Sequence, residues 1–232
     1  MYYDLHIHSA LSPCGDNTMT INNIVNMAYI KGLDLIAITD HNSMRNLTYL
    51  DEVCHKEIVD SKIDYIYGVE IESKEKIHIL GYFKKETDLK PIQAWLDTHL
   101  KKVDLDENYY GEELVLDEDD KIIDKECYLL IESLDIGIKD IIHKIHSFNG
   151  IVVLAHVLAK KYGCYEYFKD IPDYLDYDAL EVTCLREIDD CHRLCPSTKD
   201  KLFLINSDAH NLEMINEPMY QIDKDILDSL WR

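Results

Sequence analysis

The chain has 232 residues, and 45 acidic side chains against 24 lysines and arginines give it a formal net charge of −21. That field repels a polyanion, and no basic patch interrupts it, so we expect no nucleic-acid partner. A chain of this length can bury one substantial core, so we expect a single domain over residues 1–232.

The composition also bears on the compartment. No apolar run reaches the roughly 18 residues that a membrane helix needs, and the N-terminus lacks the basic and apolar regions of a signal peptide. The seven cysteines are odd in number and show no C-x-x-C spacing, which indicates free thiols. We therefore predict a cytoplasmic protein with no membrane partner.

The first third of the chain alternates between strand and helix patterns. The apolar run 3–9 predicts a strand, and the helix that follows it ends at Gly32. Further strands are predicted at 33–39 and 63–69, with a helix between them. This alternation is typical of parallel strands joined by crossover helices.

The middle of the chain loses the alternation. Residues 84–137 contain a predicted helix at 91–103 and a predicted hairpin within 112–125, so we interpret this segment as an insertion that covers part of the fold. Regular patterns then return. The remaining predicted elements are a helix that ends near Gly150, strands at 151–155, 178–182 and 202–206, and a last helix at 225–231.

Metal-capable side chains recur in the predicted strands or just after them. His6 and His8 stand at i and i+2, so both imidazoles point to the same face of the first strand. The other strands contribute His41, Glu70, His78, His156, Asp208 and His210. Parallel α/β folds build their sites at the carboxyl ends of strands, so we expect these side chains to meet.

The ligand set predicts which ions bind and what they do. Six imidazoles and two carboxylates exceed the needs of one tetrahedral ion and suit two or three Zn, Mn or Fe ions. Such a centre lowers the pKa of a bridging water and clamps phosphoryl oxygens, which favours hydrolysis of a phosphate ester by a metal-bridging hydroxide. We find no G-x-S-x-G or Walker-type motif that would favour another chemistry.

Six motifs, in order along the chain, resemble those of the PHP (polymerase and histidinol phosphatase) family. They are Asp4-Leu5-His6-Ile7-His8-Ser9, Ile38-Thr39-Asp40-His41-Asn42, Gly68-Val69-Glu70-Ile71, His78-Ile79-Leu80-Gly81-Tyr82, Leu154-Ala155-His156 and Ser207-Asp208-Ala209-His210. The resemblance implies an α/β fold arranged as a distorted (β/α)7 TIM-like barrel, a trinuclear metal centre and phosphoesterase activity.

The resemblance also implies a distribution of ligands. One metal would be held by His6, His8, Glu70 and Asp208. Glu70 would bridge to a second metal held by His78 and His156. A third metal would be held by His41 and His210.

One loop departs from the family pattern H-x-H-S-x-x-S-D-G, whose acid helps to bind the third metal. Here Ser12 is followed by Pro13, Cys14, Gly15 and Asp16. Asp16 is the favoured replacement because the family uses a carboxylate, and a Cys14 thiolate is the alternative. We expect His210 or Asp16 to protonate the leaving oxygen.

Substrate contacts and rival functions stay open. Arg45 and Arg186 follow predicted site segments and could bind a substrate phosphate, and we expect a small phosphorylated substrate. Asp40 is expected to support the ligands through hydrogen bonds, whereas Glu181 either lines the barrel or takes part in the chemistry.

An amidohydrolase-like hydrolase is one alternative to a phosphoesterase, although it would bridge its metals with a modified lysine where this chain has Glu70. A catalytically idle metal-binding regulatory module is the other.

Overall fold

The computed structural model describes residues 1–56 and 62–231. The strands are β1 (Tyr3–Ile7), β2 (Leu35–Ile38), β3 (Asp64–Tyr65), β4 (Tyr67–Glu72), β5 (His78–Phe83), β6 (Leu114–Leu116), β7 (Ile122–Lys125), β8 (Ile151–Leu154), β9 (Ala179–Val182) and β10 (Leu202–Ile205). The helices are α1 (Ile21–Lys31), α2 (Leu50–Cys54), α3 (Leu89–His99), α4 (Glu107–Tyr110), α5 (Ile138–Ser147), α6 (Cys164–Phe168), α7 (Leu185–Leu194) and α8 (Lys224–Leu230). Short 3-10 helices lie at Arg45–Tyr49, Pro196–Asp200 and Leu212–Met214.

The described strands form three sheets within a mixed α/β fold. One sheet has the order β1-β2-β3 with all strands parallel, and a five-stranded sheet has the order β10-β9-β8-β5-β4. β6 and β7 form the hairpin that the sequence predicts within 112–125. Isolated bridges, Ile7 to Ala209 and His41 to Glu70, join the two larger sheets at the same end where the metal-capable side chains lie.

Two expectations about the strands need correction. β4 pairs antiparallel with β5, and β5 pairs antiparallel with β8, so the sheet is not built by parallel crossovers alone. The reason is length: residues 73–77 are too short for a crossover and return the chain as a hairpin. The two larger sheets meet through single bridges instead of continuous ladders, so the expected closed TIM-like barrel is not confirmed.

Local signals explain where the helices begin and end. α1 starts after Thr20, whose hydroxyl accepts a hydrogen bond from the Asn23 amide at 3.2 Å, and it stops at Gly32, whose φ of 83° few other residues tolerate. α3 begins after Asp88, which accepts from the Lys90 amide, so it starts and ends earlier than the predicted 91–103. No helix in the described ranges is long and apolar enough to cross a membrane.

The segment 84–137 packs against the loop that follows β1. Leu114 and Leu116 contact Ala10, and Val115 packs near Leu11. These apolar contacts place part of the segment beside the carboxyl end of β1. Ile131 of the segment lines the cavity beside the metal-capable side chains, so the segment helps to form its wall.

Candidate metal centre

Glu70, the third-last residue of β4, lies at the centre of the metal-capable side chains and is buried. Its Oε1 lies 2.8 Å from His78 Nδ1 and 3.2 Å from His156 Nε2. Its Oε2 lies 3.2 Å from His41 Nδ1. The bridge between His41 and Glu70 and the start of β5 bring these groups to one point from distant parts of the sequence.

A second half of the cluster surrounds the end of β1. The Nε2 atoms of His6 and His8 lie 3.2 Å apart, and each lies 3.2 Å from Asp208 Oδ1 and 3.4 Å from a Glu70 oxygen. The His210 ring stacks on the His8 ring with 4.6 Å between centroids. All eight predicted ligands therefore come together, as strand alternation and strand ends led us to expect.

Four groups of three residues have ligand atoms that all lie within 4.8 Å of one another. They are His8-Cys14-His41, His6-His8-Glu70, His8-Asp208-His210 and His41-Glu70-His78. Because these groups share His8, His41 and Glu70, they form one connected centre rather than separate sites.

Hydrogen bonds behind the predicted ligands fix which nitrogen of four imidazoles faces the centre. Ser12 Oγ donates to Asp40 Oδ1 at 2.7 Å, so it accepts from His8 Nδ1 at 3.0 Å and leaves the His8 Nε2 lone pair free. His6 Nδ1 donates to the Glu181 carboxylate at 3.0 Å, which frees His6 Nε2 in the same way. Such outer partners are a hallmark of metal-ligating histidines.

The same arrangement holds for two other imidazoles. His78 Nε2 donates to Glu72 Oε2 at 3.1 Å, and His210 Nδ1 donates to the backbone oxygen of Asp208 at 2.7 Å. Nδ1 of His41, of His78 and of His156 is buried without a hydrogen-bond partner. Buried polar atoms are normally paired. The Nδ1 atoms of His41 and His78 face the Glu70 carboxylate, so their lone pairs fit a cation there, and the residues present fit a metal centre.

Carboxylates favour positive charge on two imidazoles of the centre, whereas burial lowers the pKa of His41 and of His210. Burial lowers the pKa of His8, but hydrogen bonds with Asp208 and Glu70 raise it overall to about 8. Burial also lowers the pKa of His78, and Glu70 and Glu72 raise it to about 9. Burial raises the pKa of Glu70, yet the surrounding imidazoles hold it well below its usual range. Divalent cations can satisfy this field in place of imidazole protons.

Backbone conformation at the site is unusual. Asn42, His156, Tyr162 and Asp208 all have positive φ, between 27° and 64°. Each such residue costs about 1–3 kcal/mol and persists where the surroundings impose it, most often at functional sites. At His156 and Asp208, the backbone turns just after a strand and directs the side chain into the cluster.

The loop that departs from the family pattern separates its two candidate ligands. Cys14 lines the cavity at the cluster. The Asp16 side chain is exposed, and its Oδ1 accepts from the Thr18 amide at 2.9 Å. Among the described residues, Asp16 belongs to none of the groups that could hold a metal. Burial raises the pKa of the Cys14 thiol, and the charge of Glu70 adds to that effect.

The two arginines lie away from the cluster. Arg45 pairs with Asp97 at 2.9 Å and with Glu126 at 2.8 Å, so its guanidinium is already bound to carboxylates. Arg186 is exposed on α7. Neither side chain lines the cavity at the metal centre.

A cavity of about 330 Å³ opens at the metal centre, and its walls include residues that sequence reasoning missed. Lys161 and Thr183 line it, and so does Tyr162, whose ring stacks on His78 with 4.3 Å between centroids. Lys161 follows another lysine in a loop, and no sequence pattern there indicates a residue of a functional site. Its position is set by the chain turn after His156.

Glu181 has a supporting role that the sequence left open, whereas Glu72, which holds His78 Nε2, was missed. Besides His6, the Glu181 carboxylate accepts from Asn206 Nδ2 at 2.7 Å and from the His156 amide at 2.9 Å. In the sequence, the one indication of this role was the position of Glu181 inside an apolar strand, because a buried carboxylate needs hydrogen-bond donors around it. Asp40 accepts from Ser9 and Ser12, in line with the supporting role expected for it.

Comparison with known proteins gives several relatives. A 5'-3' exoribonuclease of Haemophilus influenzae is 34% identical over 82 residues, which cover 34% of this chain and 27% of that protein. A structure assigned as a metal-dependent phosphoesterase from Bifidobacterium adolescentis superposes with a TM-score of 0.67 at 16% identity, covering 98% of this chain and 94% of the other.

Other similar structures are endonucleases. The lesion-specific endonuclease PfuEndoQ of Pyrococcus furiosus superposes with a TM-score of 0.62 at 20% identity, covering 90% of this chain and 48% of that one. An endonuclease Q complex with a 27-mer duplex substrate superposes with a TM-score of 0.59 at 20% identity, covering 90% and 49% of the two chains. This chain therefore spans about half the length of those endonucleases.

These neighbours overturn one expectation from composition. The exclusion of nucleic acid as a partner is wrong, because the same fold occurs in an endonuclease that binds duplex DNA at its active site. The physical reason is that net charge describes the whole surface, whereas binding depends on the local field. Here Lys161 lines the cavity, and bound cations would add positive charge beside it.

The family follows from the extent of the match along the chain. The family model for the PHP domain matches residues 4–184, which is well over half of the 232 residues. The matched range contains six of the eight predicted ligands and the strand ends that place them. The chain belongs to the PHP domain family.

Proposed function

We propose that this chain is a metal-dependent phosphoesterase that hydrolyses a phosphate ester at the cavity beside Glu70. The observation that carries the proposal is the convergence of imidazole nitrogens without hydrogen-bond partners on a buried carboxylate, at the floor of an open cavity. Such a donor set suits two or three Zn, Mn or Fe ions. The proposal keeps all eight predicted His, Glu and Asp ligands.

The chain's own residues would hold and orient the centre. His6, His8 and Asp208 form one half and His78 and His156 the other, with the Glu70 carboxylate between them. Metal ions bound there would lower the pKa of a water molecule and neutralise charge on a phosphoryl group. Glu181 and Glu72 keep the imidazoles in the tautomers that present a free nitrogen to the centre.

Other residues would position the substrate. Lys161 would contact a phosphate oxygen, and Tyr162 with Thr183 would form the wall beside the organic group. His210 donates its Nδ1 proton to the Asp208 backbone, so its Nε2 is suited to binding a cation, and we place it with the ligands. Asp16 is exposed and directed at Thr18, so we give it no proton-transfer step.

The cavity volume of about 330 Å³ favours a small ester or the terminal nucleotide of a strand over a duplex held inside the pocket. The exoribonuclease of Haemophilus influenzae makes a nucleic-acid end a reasonable member of the test panel. We propose a phosphate ester of nucleotide size as the substrate class. The seven free cysteines agree with a cytoplasmic location, which we keep as part of the proposal.

The test is hydrolysis by the purified protein with Mn²⁺ or Zn²⁺ added. The panel comprises nucleotides, sugar phosphates and short 5'-phosphorylated oligonucleotides, with amides and lactones to cover the amidohydrolase alternative. Phosphate or nucleotide release that falls by more than about 100-fold in Glu70→Gln, and stays unchanged in the exposed control Glu86→Gln, would support the proposal.

Two outcomes would count against it. Turnover confined to amides or lactones would favour the amidohydrolase-like alternative. Full metal loading without turnover on any member of the panel would favour a catalytically idle metal-binding module.

A further inference from the structure

Cys14 faces the metal centre from a tightly held loop. The Gly15 amide donates to Ser12 O, and the Asp16 amide donates to His210 O, both at 2.9 Å. A Cβ on Gly15 would lie 2.3 Å from Ser9 O, so only glycine permits this close turn. The loop therefore fixes the direction of Cys14 through its backbone.

The thiol has ligand-capable neighbours. Cys14 Sγ and one ring nitrogen from each of His8 and His41 lie within 4.8 Å of one another, a spacing that fits ligands around one ion. Cys14 and His41 also line the same cavity. The second observation comes from His41, which is 3% exposed and whose Nδ1 has no hydrogen-bond partner.

We propose that Cys14 supplies a thiolate ligand to an ion on the His41 side of the centre, and that this makes the position selective for Zn²⁺ over Mn²⁺ or Mg²⁺. On binding, a sulfur–metal bond forms and the thiol proton leaves to solvent, with no change of oxidation state. Thiolate is a soft ligand that hard, oxygen-preferring ions bind poorly. The inference rests on the metal centre of the proposed function but requires no turnover.

The geometry assigns this role to Cys14 rather than Asp16. The Asp16 carboxylate is exposed and accepts a hydrogen bond from the Thr18 amide, so reaching the centre would need the loop to reorganise. That loop is held by backbone hydrogen bonds from Gly15 to Ser12 O and from Asp16 to His210 O, which such a reorganisation would break. The Cys14 thiolate, a soft ligand, therefore occupies the position at which a carboxylate would favour harder ions such as Mn²⁺ or Mg²⁺.

The test is the absorption spectrum of the full chain loaded with Co²⁺, in which a thiolate ligand produces an intense near-ultraviolet charge-transfer band. We expect the band in the natural chain and in Cys184→Ser, a control for a cysteine next to the cavity residue Thr183. Cys14→Ser should lose the band. Cys14→Asp should also lose it while retaining an ion.

Chelator competition adds a second readout. Zn²⁺ at this position should bind more than about 100-fold more weakly in Cys14→Ser, beyond what loss of an outer hydrogen-bond partner produces. Cys14→Asp should bind Mn²⁺ better than the natural chain does. A band of equal strength in Cys14→Ser, or no band in a fully cobalt-loaded natural chain, would overturn the inference. A protein that shows the band but hydrolyses nothing would contradict the proposed function alone.

Discussion

Glu181 offers a sharp test of how the centre is supported. Its Oε1 accepts from Asn206 Nδ2 at 2.7 Å, and its Oε2 accepts from the His156 amide at 2.9 Å. Both oxygens also lie 3.0 Å from His6 Nδ1. Glu181→Gln keeps the size of the side chain but replaces one acceptor with an NH₂ group. Whichever way the amide turns, that group faces a donor.

The cost of the substitution follows from these contacts. One buried donor, on Asn206 or on the His156 backbone, loses its acceptor, which should lower the free energy of unfolding by about 1–3 kcal/mol. His6 also loses the charged acceptor that holds its tautomer, and loss of such a partner weakens metal binding by about 10- to 100-fold. That range corresponds to about 1.4–2.7 kcal/mol of binding free energy.

Two assays separate the effects. Chelator competition measures metal affinity, and denaturant unfolding of the metal-free protein measures stability. Glu86→Gln is the matched control, because Glu86 is an exposed glutamate. Metal affinity in Glu181→Gln equal to that of the natural chain would refute the reasoning, since it would show that His6 needs no carboxylate behind it.

Four further changes have defined outcomes. Glu113 is buried, and desolvation raises its pKa to about 8, so its contribution to stability is present below about pH 4.5 and is lost as the pH rises through about 8. Glu113→Gln should therefore unfold at higher denaturant than the natural chain at pH 8 and at a similar concentration at pH 5. Lys161→Met should raise KM about tenfold with kcat nearly unchanged, as measured by steady-state kinetics. Asp16→Asn should change metal stoichiometry and turnover little, as measured by elemental analysis and kinetics. Chelation should lower Tm by about 5–10 °C if metals are present at about 100 times their Kd, as measured by calorimetry.

Each of these outcomes has its own control or contradiction. A stability gain in Glu113→Gln that is the same at pH 5 and pH 8 would show that the buried carboxyl is not the cause. Lys160→Met controls for Lys161, because Lys160 is exposed and is not among the cavity residues. Loss of a metal ion in Asp16→Asn would restore Asp16 as a ligand. An unchanged Tm after complete metal removal would argue against a centre that ties the sheets together.

Sequence reasoning succeeded where local pattern and tertiary position coincide. Predicted ligands at strand ends, such as His41 and His156, could be expected to come together, because apolar strands are recognised easily in a sequence and their ends share one edge. His6 and His8 followed from strand alternation alone. The hairpin of β6 and β7 was also foreseeable from its turn residues.

Other features depend on contacts that no local pattern encodes. The antiparallel pairing of β4 with β5 could have been inferred from the short connection 73–77. The alternation of strands and helices before it predicted parallel pairing instead. The donors that make Glu181 a supporting residue lie 25 or more positions away in the sequence, so no local pattern could indicate its role. Lys161 reaches the cavity through a loop whose path is set by packing.

The central claim is that ions bind around Glu70. Anomalous scattering from crystals of the Zn²⁺- or Mn²⁺-loaded protein tests it most directly. We predict at least two peaks on opposite sides of the Glu70 carboxylate, one near His6, His8 and Asp208 and the other near His78 and His156. A fully loaded crystal whose peaks lie elsewhere, with none beside Glu70, would contradict the account.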